Sequence, residues 1–76
     1  VSGSMEPWRL KNIAYYEMAF YAECLSFPAI AIGFIKVMGR GLRRAADLQG
    51  VSGITSYFQE ALTGIIVGLK RRHSRQ

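Results

Sequence analysis

Few side chains in this 76-residue chain have the types and spacing that catalysis requires. The only cysteine, Cys24, lies in apolar surroundings without a neighbouring base, and the only histidine, His73, lies in a basic tail. One cysteine and one histidine supply too few nitrogen and sulfur ligands for a zinc site. Glu17 and Glu23 lie about 240° apart around a helix, so they do not form a carboxylate pair for acid–base chemistry. We therefore expect no enzyme, no small-molecule substrate, no metal site, and no cofactor beyond a structural lipid or pigment.

Glu23 is the one charged residue in an apolar run that covers residues 18–35. A run of this length is about the minimum that crosses a bilayer. A carboxylate in such a run is costly to surround with lipid and usually faces a protein partner, a polar cavity or a cation. Three roles stay open for Glu23: an ion pair with a basic side chain of a neighbouring subunit, ligation of a pigment or metal there, and a protonated carboxyl in the core.

The elements that must position these residues are helices. Pro7 suits the first turn of a helix, and the apolar residues from Trp8 to Phe27 occupy every side of that helix, which is typical of burial in a membrane or in a large protein. Pro28 removes a backbone donor inside the run and predicts a kink there. Alternatively, two soluble helices meet at Phe27 and Pro28.

A further helix is predicted after Gly50, itself a suitable helix end, because apolar residues recur at helical spacing from Ile54 to Leu69. Its opposite face has mostly small residues at every fourth position, interrupted by Glu60, and ends in the pair Gly64 and Gly68, a spacing that lets helix backbones approach closely. Aromatic residues near the start of the chain are typical of membrane interfaces. The residues predicted to pack against a partner are Tyr15, Tyr16, Glu23, Pro28, Gly33, Gly64 and Gly68.

These elements predict an all-α protein with one kinked transmembrane helix, a basic amphipathic linker and a C-terminal amphipathic helix. The interfacial start and the transmembrane helix cover residues 5–36, the linker covers residues 37–50, and the last helix with its basic tail covers residues 51–76. Residues 1–4 have the composition of an expression-tag remnant or a processed terminus.

Charge divides the chain into two parts. Residues 1–35 carry a net charge of −1, whereas residues 36–76 carry +6. Because basic segments stay on the cytoplasmic side, we expect the C-terminus on the cytoplasmic, matrix or stromal side of a bacterial inner, organellar inner or thylakoid membrane. There, anionic lipid headgroups or an acidic partner would contact the basic side chains. These are Arg40, Arg43, Arg44, Lys70, Arg71 and Arg72.

The whole pattern looks like that of the small accessory subunits of respiratory, photosynthetic and translocation complexes, a likeness of shape and class that assigns no functional residue. It implies a non-catalytic subunit that stabilises a larger membrane complex by packing against its integral subunits. The alternative is a soluble helical module, expected to be dimeric, that binds nucleic acid or protein. Nucleic acid is the less favoured partner, because the first helix lacks the polar face that a helix-turn-helix protein presents to water.

Overall fold

A computed structural model describes the backbone of residues 2–75 and the side chains of residues 6–75. Two helices account for nearly all of this range: α1, Ser2–Cys24, and α2, Phe27–Arg75. No β-strand occurs between residues 2 and 75, so the all-α prediction is confirmed. Of the predicted remnant at residues 1–4, Val1 lies outside the described residues, and the backbone of the other three begins α1.

Gly50 divides α2 into two segments, the first segment at residues 27–49 and the second segment at residues 51–75. Its φ of 67° and ψ of −146° lie outside the helical region, and glycine adopts a positive φ without the steric cost of a Cβ atom. The two segments run back against each other, since a Cβ atom on Gly53 would collide with the carbonyl oxygen of Ala45. Gly50 therefore ends a helix, as the sequence predicts.

The three rods, α1 and the two segments of α2, pack side by side in a bundle that measures 42 × 22 × 16 Å. The first segment runs antiparallel to α1, because Glu6 near the start of α1 pairs with Arg44 and Glu17 further along pairs with Arg40. The second segment, after the turn at Gly50, runs parallel to α1. The topology is therefore up, down and up.

Leu25 and Ser26 are not helical and separate α1 from α2. They lie inside the run that the sequence predicts as one kinked helix. The Ile30 N–H donates to the Ser26 carbonyl at 2.9 Å, and this bond begins α2. Pro28 therefore lies in the first turn of a helix, where its missing N–H leaves no helical bond unmade. In place of the one kinked helix that the sequence predicts within residues 5–36, the chain forms two helices, one that ends at Cys24 and one that begins at Phe27. This arrangement is close to the alternative of two helices that meet at Phe27 and Pro28.

The other boundaries differ in smaller ways from those the sequence predicts. Pro7 lies inside α1 instead of in its first turn. Residues 37–50, predicted as a linker, are helical up to Gly50, because glycines inside this range lower helix propensity without ending the helix. Over residues 2–75, neither helix contains a stretch that is long and apolar enough to cross a membrane.

Candidate functional site

Small residues are frequent in the interior of the bundle, where the larger side chains of Ile30 and Tyr57 are also buried. Met18 and Val37 are the largest side chains that are fully buried among the described residues. The buried small residues are Ala14, Ala19, Ala22, Gly33, Gly41, Ala45, Gly53, Ala61, Gly64 and Gly68. Large apolar side chains lie outside: Trp8, Ile13, Tyr16, Phe20, Phe27, Ile32, Ile35, Leu48, Val51, Ile54, Phe58, Leu62 and Ile66. Much of the large apolar surface of the chain therefore lies on the exterior of the bundle.

Gly64 and Gly68 bring the second segment of α2 against the backbone of α1. A Cβ atom on Gly64 would collide with the carbonyl oxygen of Tyr15, and one on Gly68 would collide with the carbonyl oxygen of Ala19. Close approach of two helix backbones is the use that sequence analysis predicts for this glycine pair. The pair packs within the chain, and its contact partner is α1.

Of the other residues predicted to pack against a partner, Gly33 is also used internally, since a Cβ atom there would lie 2.5 Å from the Cδ2 atom of Tyr21. Tyr15 is half-buried, and its ring meets that of Tyr16 edge to face with a centroid distance of 5.2 Å. Tyr16 itself is 60% exposed, and Pro28 is exposed. Tyr16 and Pro28 are thus the predicted residues that remain accessible to a partner.

Each acidic residue of α1 that lies within the described side chains forms an ion pair with α2. Arg40 donates to the Glu17 carboxylate at 2.9 Å, and this hydrogen bond, together with the negative charge of Glu17, raises the pKa of Arg40. Glu23 pairs with Arg75. Of the three roles left open for Glu23, one is an ion pair with a basic side chain of a neighbouring subunit, and the structure supplies the basic side chain from the same chain.

Arg71 lies near the same carboxylate, with its Nη1 atom 4.0 Å from an oxygen of Glu23. Arg72 has a different role, because its Nη1 atom donates to the Leu25 carbonyl at 2.5 Å and to the Ala22 carbonyl at 3.4 Å. Its guanidinium also lies 5.5 Å from the centroid of the Phe27 ring. Arg72 thus satisfies carbonyls at the end of α1 and holds the junction with α2.

Three exposed cations of α2 form no ion pair with a described acidic side chain. Lys36, Arg43 and Lys70 are all exposed, and none of them forms an ion pair within residues 6–75. Of the six basic residues that the sequence nominates for lipid or an acidic partner, Arg43 and Lys70 therefore remain most available. Lys36 was not nominated, although it is the first charge after the apolar run.

An apolar groove of about 350 Å³ runs between the two segments of α2. The residues that line it are Phe27, Ile30, Ala31, Phe34, Ile35, Leu62 and Ile65. Phe34 meets Phe58 edge to face beside it, with ring centroids 5.7 Å apart. A second hollow shares Phe27 with the groove and continues to Leu69, Arg72 and His73. The groove is thus apolar along its length and basic at one end.

Sequence reasoning missed the groove, although a signal for half of it was present. The apolar face predicted for the last helix includes Phe58, Leu62 and Ile65, and these side chains line or border the groove. The other half comes from Phe34 and Ile35, which lie in the run predicted to cross a membrane. Only the fold brings the groove residues of the first segment beside those of the second segment.

Residues with catalytic chemistry are not brought together in the described part of the chain. Cys24 is exposed at the end of α1. Within the described residues, no three side chains of histidine, cysteine, aspartate or glutamate lie close enough to hold a metal ion. In comparisons with known proteins, no family model, no curated protein and no solved structure matches the chain.

Proposed function

We propose that this chain is a small non-catalytic accessory subunit that stabilises a larger complex by helix packing. The observation that carries the proposal is the number of large apolar side chains that lie exposed on the outside of the bundle. Alanines and glycines close the interior, so the large apolar side chains outside are available for contact with other proteins. Exposed apolar surface on this scale is typical of proteins that bind a partner.

The larger complex in this proposal is a membrane complex of the respiratory, photosynthetic or translocation class. Trp8, Arg9, Tyr16 and Phe20 are exposed on α1, and such a mixture of aromatic and basic side chains is typical of the headgroup layer of a membrane. The bundle exterior would contact integral subunits and headgroups, in place of a single crossing by residues 18–35. The basic C-terminal tail would lie on the cytoplasmic, matrix or stromal side.

Fractionation of the untagged chain from its source cells tests this proposal. We expect the chain to sediment with membranes and, after mild detergent, to elute at a mass far above its own 8.5 kDa. Replacing Tyr16 and Phe20 together by serine should release it from the complex. The matched control is Thr63→Ser on the exposed polar edge of the second segment, which should change nothing. Elution as a free small protein under all conditions would contradict the proposal.

A second candidate is a protein-binding module that works without lipid. It is favoured by the ion pairs of Glu17 and Glu23, which close the bundle within one chain. Nucleic acid is less favoured as its partner, because Arg40 and Arg44 bind carboxylates instead of remaining free for phosphates. Release of the intact complex from membranes by high salt, without detergent, would favour this candidate.

A further inference from the structure

We propose that the groove between the two segments of α2 binds an acidic amphipathic helix of a partner protein. This inference rests on the proposed function, because it names the partner surface that the subunit would contact. It goes further by assigning one face of the bundle and one kind of ligand. An amphipathic helix that lays its apolar face into a hydrophobic groove is a recurring mode of recognition.

The groove has the shape that a helix requires. Its walls are two antiparallel helices, and its floor includes Phe34 and Ile65, which are partly buried. Its rims are exposed: Ile35 is 68% accessible and Leu62 is 38% accessible. A third helix seated there would bury both rims at once.

Charge identifies the occupant as acidic. Ile35, Gly39 and Arg43 follow one another at four-residue spacing on the exposed side of the first segment, so Arg43 extends the row that begins at the rim. The second segment has an equivalent exposed row at four-residue spacing, formed by Leu62, Ile66 and Lys70. Since the segments are antiparallel, the two cations lie at opposite ends of the groove, with Arg43 about 12 Å along the helix axis from Ile35 and Lys70 about 12 Å from Leu62.

The acidic residues of the chain do not neutralise these ends. Glu60 lies on the same helical row as Gly64, which faces α1 and not the groove. Asp47 follows Arg43 by one turn and forms no ion pair with it in the structure. At the end beyond Phe27, Arg72 lines the adjoining hollow and adds a further positive charge. A partner helix with carboxylates in its outer turns and apolar residues in its middle turns complements this pattern.

Self-association and lipid fit the groove less well. Two copies that met groove to groove would bring their Arg43 and Lys70 side chains together, and each copy carries a net charge of +5. A flat lipid surface is best met by a convex apolar face, whereas this surface is concave between two helices. The acidic helix is therefore the occupant that shape and charge favour together.

Peptide binding to the full chain tests the inference. The probe is a fluorescein-labelled synthetic helix with leucine at the a and d positions of its central heptads and glutamate in its outer turns, and the matched peptide has lysine in place of each glutamate. In fluorescence anisotropy titrations, we expect the glutamate peptide to bind at least about ten-fold more tightly. Equal affinities for the two peptides would overturn the assignment of an acidic partner.

Variants locate the binding surface. Ile35→Ser and Leu62→Ser should each weaken binding of the glutamate peptide about ten-fold, because each removes a rim side chain. Ile13→Ser, at an exposed apolar position on α1, is the matched control and should leave binding unchanged. Equal losses in all three variants would overturn the assignment to the groove. Circular dichroism of each variant verifies folding, and Ile35 is so exposed that its replacement leaves the bundle intact.

The rival occupants give different results. A dimer in sedimentation equilibrium that Leu62→Ser dissociates would overturn the inference in favour of a second copy. Binding to vesicles of equal parts phosphatidylcholine and phosphatidylglycerol that Leu62→Ser abolishes, with no peptide binding, would overturn it in favour of lipid. If Ile35→Ser and Leu62→Ser stay in the large complex from source cells, the groove inference fails while the proposed function stands. If the unaltered chain elutes alone, the proposed function itself fails.

Discussion

The second segment of α2 contacts its two neighbours in different ways. Toward α1, Gly64 and Gly68 set backbone against backbone, and no room remains for even one added methyl group. Toward the first segment, aromatic rings meet edge to face, as Phe34 and Phe58 do, and the Tyr57 hydroxyl donates to the Val37 carbonyl at 2.7 Å. The contact with α1 is closed at Gly64 and Gly68, whereas the contact with the first segment leaves a groove open on its outer side.

The difference follows from side-chain size. Glycine lets two helices approach until their backbones touch, so nothing else can enter between them. The first and second segments also touch backbone to backbone near their turn, at Gly53 and Ala45. Around Phe34 and Phe58, however, large rings fill only part of the space and leave apolar surface exposed at the edge of the contact. The closed contact therefore stabilises the fold of the chain, whereas the open contact can still accept a further element.

Adding one methyl group to the closed contact should have the largest effect. Gly64→Ala should lower the free energy of unfolding by about 2 kcal/mol or more, because the new Cβ atom meets the Tyr15 carbonyl and only a shift of the backbone relieves the overlap. Urea denaturation measures the change. Gly39→Ala is the matched control: no atom lies within 4 Å of an added Cβ there, and the variant should be more stable by about 0.5–1 kcal/mol. Equal changes in the free energy of unfolding of both variants would show that α1 and the second segment of α2 are not in close contact.

Arg72 tests the junction at which the closed contact ends. Arg72→Met should lower the free energy of unfolding by about 1.5 kcal/mol, because it removes charged hydrogen bonds to the Leu25 and Ala22 carbonyls while keeping most of the apolar stem. Thermal denaturation followed by circular dichroism measures the loss. Lys70→Met, at an exposed position, should stay within about 0.5 kcal/mol of the unaltered chain. A similar loss in both would mean that net charge, and not the junction, is responsible.

Tyr57 tests the open contact. Tyr57→Phe should cost about 1 kcal/mol at neutral pH, because the Val37 carbonyl loses its donor. Burial raises the pKa of Tyr57 above its usual value of 10, so the folded chain keeps this proton at pH values where the unfolded chain has released it. The contribution of the Tyr57 hydroxyl to the free energy of unfolding is therefore fully present below pH 10 and decreases as the pH rises above 10.

The difference in free energy of unfolding between the unaltered chain and the Tyr57→Phe variant should therefore become smaller above pH 10. Urea denaturation at several alkaline pH values measures it. Tyr16→Phe is the matched control, since the Tyr16 ring is 60% exposed. A difference that stays constant through the alkaline range would show that the hydroxyl is in contact with water.

Local patterns in the sequence predict much of the closed contact and little of the open one. The spacing of Gly64 and Gly68 and the helix end at Gly50 are properties of single segments, and both are found. The break at Leu25 and Ser26 was predicted as a kink, because Pro28 has the same local effect inside a helix as at its start. The groove depends on how two segments pair, and no pattern within either segment contains that pairing.

Ion pairs between distant residues are a second class of feature that local patterns cannot predict. Glu17 and Arg40 are 23 residues apart in sequence, and they meet only because the first segment turns back along α1. Glu23 illustrates the consequence: its position in an apolar run leaves open an ion pair with a neighbouring subunit, ligation of a pigment or metal, and a protonated carboxyl in the core, whereas the fold supplies Arg75. Charges that look unpaired in a sequence are thus paired by topology.

Glu23→Gln should have the smallest effect of these substitutions. It removes the ion pair with Arg75 at the edge of the closed contact, and the side chains of Arg71 and Arg75 are 57% and 65% exposed. Water and salt screen such a pair, so we expect a loss of less than about 1 kcal/mol that disappears in high salt. Urea denaturation at low and high ionic strength measures it, with Asp47→Asn, at an exposed position without an ion pair in the structure, as the control.

The outcome also decides what Glu23 is for. A loss above about 3 kcal/mol that persists in salt would mean that the carboxylate is a buried charge and that the closed contact depends on it. A small, salt-sensitive loss of stability combined with loss of the large complex from source cells would instead assign Glu23 to a partner. If stability falls slightly and the complex stays intact, the ion pair serves only to fix the end of α1 beside the second segment. The Glu23 side chain is 18% exposed, but its arginine partners Arg71 and Arg75 lie mostly in water, which screens the ion pair. We therefore expect a small loss of stability and an intact complex.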